Sequence, residues 1–194
     1  MVEAQSAVGP VRDRILDAAE RVVGDVGAAR ITLDVVAQAA GVSKGGLLYH
    51  FPSKESLMEA LAQRYVANME QCIETAKGNL SDADESRELK ACVHGLLQRD
   101  ARSKATGMCA ALIATAANNP ALLEVIRERI AHHTAGFAAS NADFARAAIV
   151  TLAIDGLMLR ESLRISPFTE QQRERIVQEL LKIADESYKV SHVE

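Results

Sequence analysis

The stretch from Thr32 to Lys54, TLDVVAQAAGVSKGGLLYHFPSK, constrains this chain more than any other. It reads as two short helices joined by a tight turn. Thr32 is a good N-cap, because its hydroxyl accepts a bond from an otherwise unpaired N–H of the first helical turn. Asp34 follows where the helix dipole favours an anion. Val35, Val36, Ala37, Ala39 and Ala40 make an apolar face. Gly41 stops the helix, since glycine reaches the left-handed conformation a helix end often needs, and Val42 plugs the gap under the turn. Ser43 caps a second helix carrying Lys44, Gly45, Gly46, Leu47, Leu48, Tyr49, His50 and Phe51. Pro52 blocks extension, and Ser53 caps a third, longer helix.

This is the sequence shape of a helix-turn-helix. Ala37, four residues before Gly41, is small where the second helix must cross closely, and Leu47 is placed to pack back under Val36 and Ala37. The outer face of the second helix is then Lys44, Gly45, Gly46, Tyr49 and His50. Those residue types suit DNA: Lys44 reaches a base edge or a phosphate, while Tyr49 and His50 donate to phosphates. Adjacent glycines weaken a helix by roughly 1 kcal/mol each relative to alanine. That loss makes sense where the backbone must approach another molecule closely. The plainer reading of the same residues is a capped helical hairpin inside an all-helical core.

The run AGVSKGGLLYHFPSKESL, with a helix before it and Thr32 as a cap, resembles the DNA-binding domain of the tetracycline-repressor (TetR) family. Thr32, Ala40, Gly41, Val42, Ser43, Gly45, Leu47, His50, Phe51, Ser53, Lys54 and Glu55 match its pattern in place. One position departs: where the family usually has tyrosine this chain has Leu48, and the tyrosine follows as Tyr49. The match covers roughly residues 12 to 60; the rest is similar only in length and helical pattern. The expected DNA-contacting residues are Thr32, Ser43, Lys44, Gly45, Gly46, Tyr49, His50 and Lys54. Lys44 and the glycine pair are expected at base edges, and Thr32, Tyr49, His50 and Lys54 on phosphates.

A net charge of −4 does not advertise nucleic acid, and even in the first 64 residues the acids match the bases. That weighs against non-specific coating of DNA. Local charge decides a specific contact, however, and Ser43 to Lys54 holds two lysines, a histidine and no acid. Scarce aromatics and abundant alanine within a 48% hydrophobic chain favour packed helices over sheets. Met1 to Arg14 has no signal-like apolar run, and the longest apolar span, Ala145 to Leu159, is broken by Arg146 and Asp155, so no membrane helix is expected. Cys72, Cys92 and Cys109 are odd in number and widely spaced. They read as small buried hydrophobes in a reducing cytoplasm, with no zinc site.

Along the chain, a first helix from Pro10 to about Gly27 presents Ile15, Ala18, Ala19, Val22 and Val26 at helical spacing. The helix from Ser53 to about Lys77 spans close to 36 Å at about 1.5 Å per residue, enough to join two domains. GNLSDADES, from Gly78 to Ser86, reads as a linker. We expect a helix-turn-helix DNA-binding domain over 10–56 and a helical effector-binding and dimerisation domain over 57–194. A fifth helix turns Leu89, Cys92, Val93, Leu96 and Leu97 inward. Met108 to Asn118 is nearly all apolar and is expected to be buried all round. The next helix repeats Leu122, Leu123, Ile126, Ile130 and Phe137 on one side. Ser140 with Asp143 reads as a capping box for helix eight, about Asn141 to Arg164, and Thr169 with Gln172 as another for helix nine, lined by Ile176, Leu180, Ile183 and Ala184.

The last two helices, joined by the short Ser166-Pro167-Phe168 turn, are rich in small and aliphatic residues. Packed against their symmetry mates they would form a four-helix dimer bundle, as the family resemblance also implies; alternatively they only close the monomer's own core. A dimer supplies what one helix-turn-helix lacks, because two motifs about 34–36 Å apart can read a palindrome. Asp155 interrupts an apolar run and, if buried, must be paired with Arg160, Arg164 or a partner subunit, or face a ligand cavity. His94 carries the same ambiguity. Met108, Leu112 and Met158 are core residues by default and cavity-lining candidates otherwise. His132 and His133 diverge by about 100° on a helix, which argues against a shared metal.

The sequence therefore reads as an all-α, two-domain, homodimeric transcriptional regulator: a cytoplasmic repressor of palindromic operators on double-stranded DNA, without cofactor or metal. The resemblance implies release by a small molecule bound among helices five to eight, and a Leu, Ile, Met and Ala lining favours an apolar or amphipathic one. Candidate effector contacts are His94, Met108, Leu112, Asp155 and Met158. No nucleophile–base constellation or phosphate-binding glycine loop points to an enzyme. The rival readings are a ligand-dependent activator and a helical small-molecule-binding protein without DNA function.

Overall fold

The computed structural model describes residues 8–26, 31–102, 107–116, 119–139 and 143–185. Among them the chain forms nine α-helices and no strand: α1 (Val8–Val26), α2 (Leu33–Ala40), α3 (Lys44–His50), α4 (Lys54–Gly78), α5 (Arg87–Arg102), α6 (Met108–Ala116), α7 (Pro120–Ala139), α8 (Phe144–Ser162) and α9 (Glu170–Ala184). α1 starts two residues before Pro10, and its expected stop at Gly27 lies outside the described residues.

The chain divides into two compact units. Residues 1–65 and 104–126 make the first, and residues 66–103 and 127–194 the second. α4 and α7 therefore each contribute to both. In the first unit Ile15, Leu16, Leu47, Leu57, Leu61 and Met108 form part of a single apolar core drawn from α1, α3, α4 and α6. Burying a leucine such as Leu47 completely stabilises the fold by about 1.5–3 kcal/mol. Arg64 of α4 fastens the outside of this core to α1. Its guanidinium donates to the Asp13 carbonyl at 3.3 Å and pairs with Asp17 and, at 3.5 Å, with Glu20.

In the second unit α5 packs against α8 and α9. Leu89, Cys92, Val93, Leu96 and Leu97 are buried, as their spacing predicts. Burial pushes the Cys92 thiol up to about 12, while Cys72 and Cys109 are half-buried, not fully buried as expected. At Gly95 the backbones of α5 and α4 come close together. A Cβ there would sit 2.7 Å from both the nitrogen and the Cα of Ile73, so only glycine fits without movement. The polar stretch before α5 is a built joint. Arg87 donates to the Lys77 carbonyl through Nε (3.1 Å) and Nη2 (3.0 Å) and pairs with Asp82, and Lys77 pairs with Glu88. Lys90 pairs with Asp84 at 3.0 Å and with Asp185, just past α9, at 2.7 Å. Burial works against the Lys90 ammonium, but hydrogen bonds to Asp185 and Asp84 outweigh it and raise its pKa.

Several expectations need correction. α6 is not buried all round: Met108, Ala111, Leu112 and Ala116 face inward, but Ile113 is 48% exposed, because a helix this short meets its core on one side only. On α7, Leu122 is buried while Leu123 and Ile130 are exposed, and the Phe137 side chain lies outside the described residues. α8 is capped by Asp143 itself, whose carboxylate accepts from the Arg146 N–H at 3.1 Å; Ser140 is not among the described residues. The capping box of α9 forms as expected, with Thr169 Oγ1 accepting from Gln172 N–H and Gln172 Oε1 from Thr169 N–H. Its most buried positions are Val177, Leu180 and Ala184, with Ile176 and Ile183 at the margin. Just past the Leu163 cap of α8, Arg164 takes the left-handed conformation (φ 57°) that lets Ile165 N–H reach back to the Arg160 carbonyl.

Candidate nucleic-acid interface

The geometry of α2 and α3 follows from their caps. Thr32 Oγ1 accepts from Val35 N–H at 3.3 Å. Gly41 is left-handed (φ 65°, ψ 37°), and its N–H points back to the Gln38 and Ala37 carbonyls. Ser43 Oγ accepts from Gly46 N–H at 3.0 Å and starts α3. Phe51 N–H closes its far end on the Leu47 carbonyl. α2 buries Val36, Ala37 and Ala40, whereas Val35 and Ala39 of its expected apolar face are exposed. α3 buries only Leu47, and Val42 packs partly against the core beneath the turn. With so little of α3 inside, its remaining side chains form a surface.

On that surface Tyr49 is 76% exposed, its ring edge-to-face with His50 at 5.2 Å between centroids. Leu48, at the usual tyrosine position, is also exposed. Open space lies beyond Gly45, while a Cβ on Gly46 would come within 3.2 Å of the Ser43 cap hydroxyl. The two glycines thus differ: Gly45 leaves the backbone bare to an approaching molecule, and Gly46 makes room for the cap. Lys44 does not extend freely from α3. Its ammonium lies 3.0 Å from Oδ1 and 3.2 Å from Oδ2 of Asp34 on α2.

Lys54 opens α4 beside a reciprocal pair in which Ser53 Oγ accepts from Ser56 N–H and Ser56 Oγ from Ser53 N–H, both at 3.1 Å. The Glu55 carboxyl is held below the ordinary range by its own backbone N–H and the Ser53 hydroxyl. Arg12 lies over the Phe51 ring at 5.3 Å from its centroid. Thr32, Ser43, Lys44, Gly45, Gly46, Tyr49, His50 and Lys54 thus all fall on α2–α4 termini and the α3 surface of one unit.

The comparisons with known proteins agree with this geometry. Residues 15–61 match the family described as bacterial regulatory proteins, tetR family. Residues 86–185 match the tetracyclin repressor-like C-terminal domain. The chain belongs to the TetR family. It is 28% identical over 170 residues to the HTH-type transcriptional regulator BetI of Serratia proteamaculans, covering 83% of this chain and 85% of BetI. A transcriptional regulator from Rhodococcus sp. Rha1 shares the fold at a TM-score of 0.75 and 24% identity, over 89% of this chain and 95% of that one. The multidrug binding protein EbrR, solved with imidazole, aligns at a TM-score of 0.65 and 28% identity over 87% and 93% of the two chains. The protein is a DNA-binding transcriptional regulator of the TetR family, with an N-terminal helix-turn-helix domain and a C-terminal helical domain.

The five effector candidates of this TetR-family chain are divided between the two units. Met108 and Leu112 belong to the core of the first unit. His94 is half-buried and Met158 buried in the second. Asp155 is an exposed residue of α8. Even so, the surrounding protein withdraws enough water to raise its pKa, against the opposing pull of Arg129 on α7. Its charged neighbour is therefore Arg129, not the predicted Arg160 or Arg164. Sequence reasoning missed Arg129, whose Nε is buried without a hydrogen bond. It sits on a helix of mixed composition, and no local pattern singles it out.

α8 and the segment that joins it to α9 leave apolar side chains open. Ile149, Leu152, Leu163, Ile165 and Phe168 are all exposed, Leu152 to 70%. Along α9 a shallow groove of about 410 Å³ is lined by Phe168, Gln172, Arg175, Ile176, Glu179 and Leu180. Among the described residues no helix is long and apolar enough to cross a membrane, and no group of three or more His, Cys, Asp or Glu side chains could hold a metal ion.

Proposed function

We propose that this regulator is a homodimeric, cytoplasmic repressor that binds a palindromic operator and leaves it when a small molecule binds its C-terminal domain. The single observation that carries the reading is the α3 surface: a doubly capped short helix with only Leu47 buried, Lys44, Gly45 and Tyr49 exposed and His50 half-buried beside Tyr49. Lys44 and the glycine pair meet base edges in the major groove, with Ser43 at the start of α3. Thr32, Tyr49, His50 and Lys54 hold phosphates. Lys44→Ala lowers operator affinity with little loss of stability.

The open apolar strip on α8 and the α8–α9 connection supports the dimer. A patch this rich in Ile, Leu and Phe is rarely left to water, and two copies related by a two-fold axis make the four-helix bundle that sets half-site spacing. Residues 10–56 then read DNA, and 57–194 bind effector and partner. The effector site lies within the second unit, where His94 and Met158 provide polar and apolar contacts and Asp155, with Arg129, the charged rim. EbrR, described as a multidrug binding protein, supports an apolar or amphipathic ligand. A ligand that prefers the non-binding state by a few kcal/mol suffices to shift the equilibrium, and α4, which belongs to both units, is the element to carry the change.

The test is selection of bound sequences from a random duplex library. Enrichment of a palindrome with half-sites about one turn apart supports the reading. No enrichment, before or after refolding to remove a carried ligand, overturns it.

A further inference from the structure

The lysine of the α3 surface has an acid of α2 beside it, where a DNA-reading face would be expected to hold only cations. Asp34, in the first turn of α2, meets the Lys44 ammonium at 3.0 and 3.2 Å. Both side chains are more than 60% exposed, so this ion pair contributes at most about 1 kcal/mol to the fold. Thr32 already caps α2. A carboxylate within 3 Å of the lysine that meets DNA is a liability against phosphate oxygens, unless DNA offers it a donor.

The major groove offers one. On a G·C pair the guanine O6 and N7 acceptors lie beside the cytosine N4 amino donor, and the favoured partners are a cationic side chain for guanine and a carboxylate for cytosine N4. Lys44 and Asp34 present a donor and an acceptor side by side, which matches that edge. We propose that Asp34 and Lys44 act as one specificity device reading a single G·C pair in each half-site. Lys44 donates to guanine O6 or N7, and Asp34 accepts from cytosine N4. Where that pair is missing, the carboxylate keeps the ammonium to itself and repels the backbone, so Asp34 lowers non-specific binding. This inference rests on the DNA-binding reading above.

The experiment compares full-length wild type, Asp34→Asn and Lys44→Met by selection from a random duplex library, and by anisotropy titration on a fixed random-sequence duplex at several salt concentrations. Wild type is expected to enrich a symmetric G·C position. Asp34→Asn is expected to weaken preference there by about tenfold, leaving the other positions unchanged. It is also expected to bind the random duplex several-fold more tightly, with a salt slope steeper by about one, because the released ammonium reaches a phosphate. Lys44→Met is expected to lose the same base preference without gaining random-duplex affinity. If wild type selects an operator and Asp34→Asn changes neither its base preferences nor random-duplex affinity, the pair is only a surface contact and the inference falls while the DNA reading stands. A wild-type preference for A·T at the Asp34-dependent position overturns the base assignment. No enrichment by wild type overturns both.

Discussion

The two compact units of this regulator dispose of their apolar residues in opposite ways. In the first, large aliphatic side chains of α1, α3 and α4 converge on one core, and α3 keeps Lys44, Gly45, Leu48 and Tyr49 exposed. In the second, α8 and α9 bury Val150, Ile154 and Leu180, but Ile149 and Leu152 of α8 and Ile165 and Phe168 of the α8–α9 connection are left in water. The first unit buries most of its large aliphatic side chains, with Val35, Leu48, Ile113 and Leu123 as exceptions, and turns a largely polar α3 surface outward, suited to a polar partner such as DNA. A unit that leaves an aliphatic strip open is ready to meet another apolar surface. The same difference shows at two helix ends. Gly41 takes the left-handed turn at no steric cost, whereas Arg164 takes a similar one at a cost of about 1 kcal/mol.

Substitutions can break or sharpen this contrast. The largest effect is expected from Leu47→Ala, which opens a cavity in the first unit's core. It should cost about 2–5 kcal/mol in urea unfolding; a loss below 1 kcal/mol would mean that α3 is not anchored as described. Leu152→Glu, on the open strip, should leave stability nearly unchanged while halving the mass seen by light scattering. It should weaken operator binding by about a hundredfold, as half the contacts go. A variant that stays dimeric would show that this strip is not the interface.

Gly95→Ala tests the close crossing of α4 and α5. Its Cβ has backbone, not a flexible side chain, 2.7 Å away, so the helices must separate, at a cost of about 1–3 kcal/mol. An unchanged urea midpoint would refute that crossing. The smallest effect is expected at Arg164→Gly, which should stabilise by about 0.5–1 kcal/mol by relieving the left-handed turn; a fall in melting temperature would show that the Arg164 side chain has an unseen task. Thiol labelling adds a check on burial in both units. With its thiol raised to about 12 by burial, Cys92 should react only on unfolding, while half-buried Cys72 and Cys109 react slowly in the native protein.

The helix-turn-helix was legible because its determinants are local. Thr32, Gly41, Ser43 and Leu47 act within a few residues of where they stand, through caps, a left-handed turn and one inward side chain. The capping box of α9 is legible for the same reason. The face that a helix buries was less so. The nearly all-apolar run of α6 suggested burial all round, but composition does not say how many sides have a neighbour, and Ile113 is left about half exposed.

The chain's sequence alone determined the all-helical class, the capped DNA-reading hairpin and its family, since caps, turns and helical periodicity are written in residues close together along the chain. Tertiary structure alone decided which charges meet. Lys44 finds Asp34 across the crossing of two helices, ten residues away, and Asp155 lies beside Arg129 instead of the arginines of its own helix. It also decided that α8 and its connection to α9 leave an aliphatic strip open. Pairing and exposure depend on how distant helices pack, and no spacing within a single helix records that.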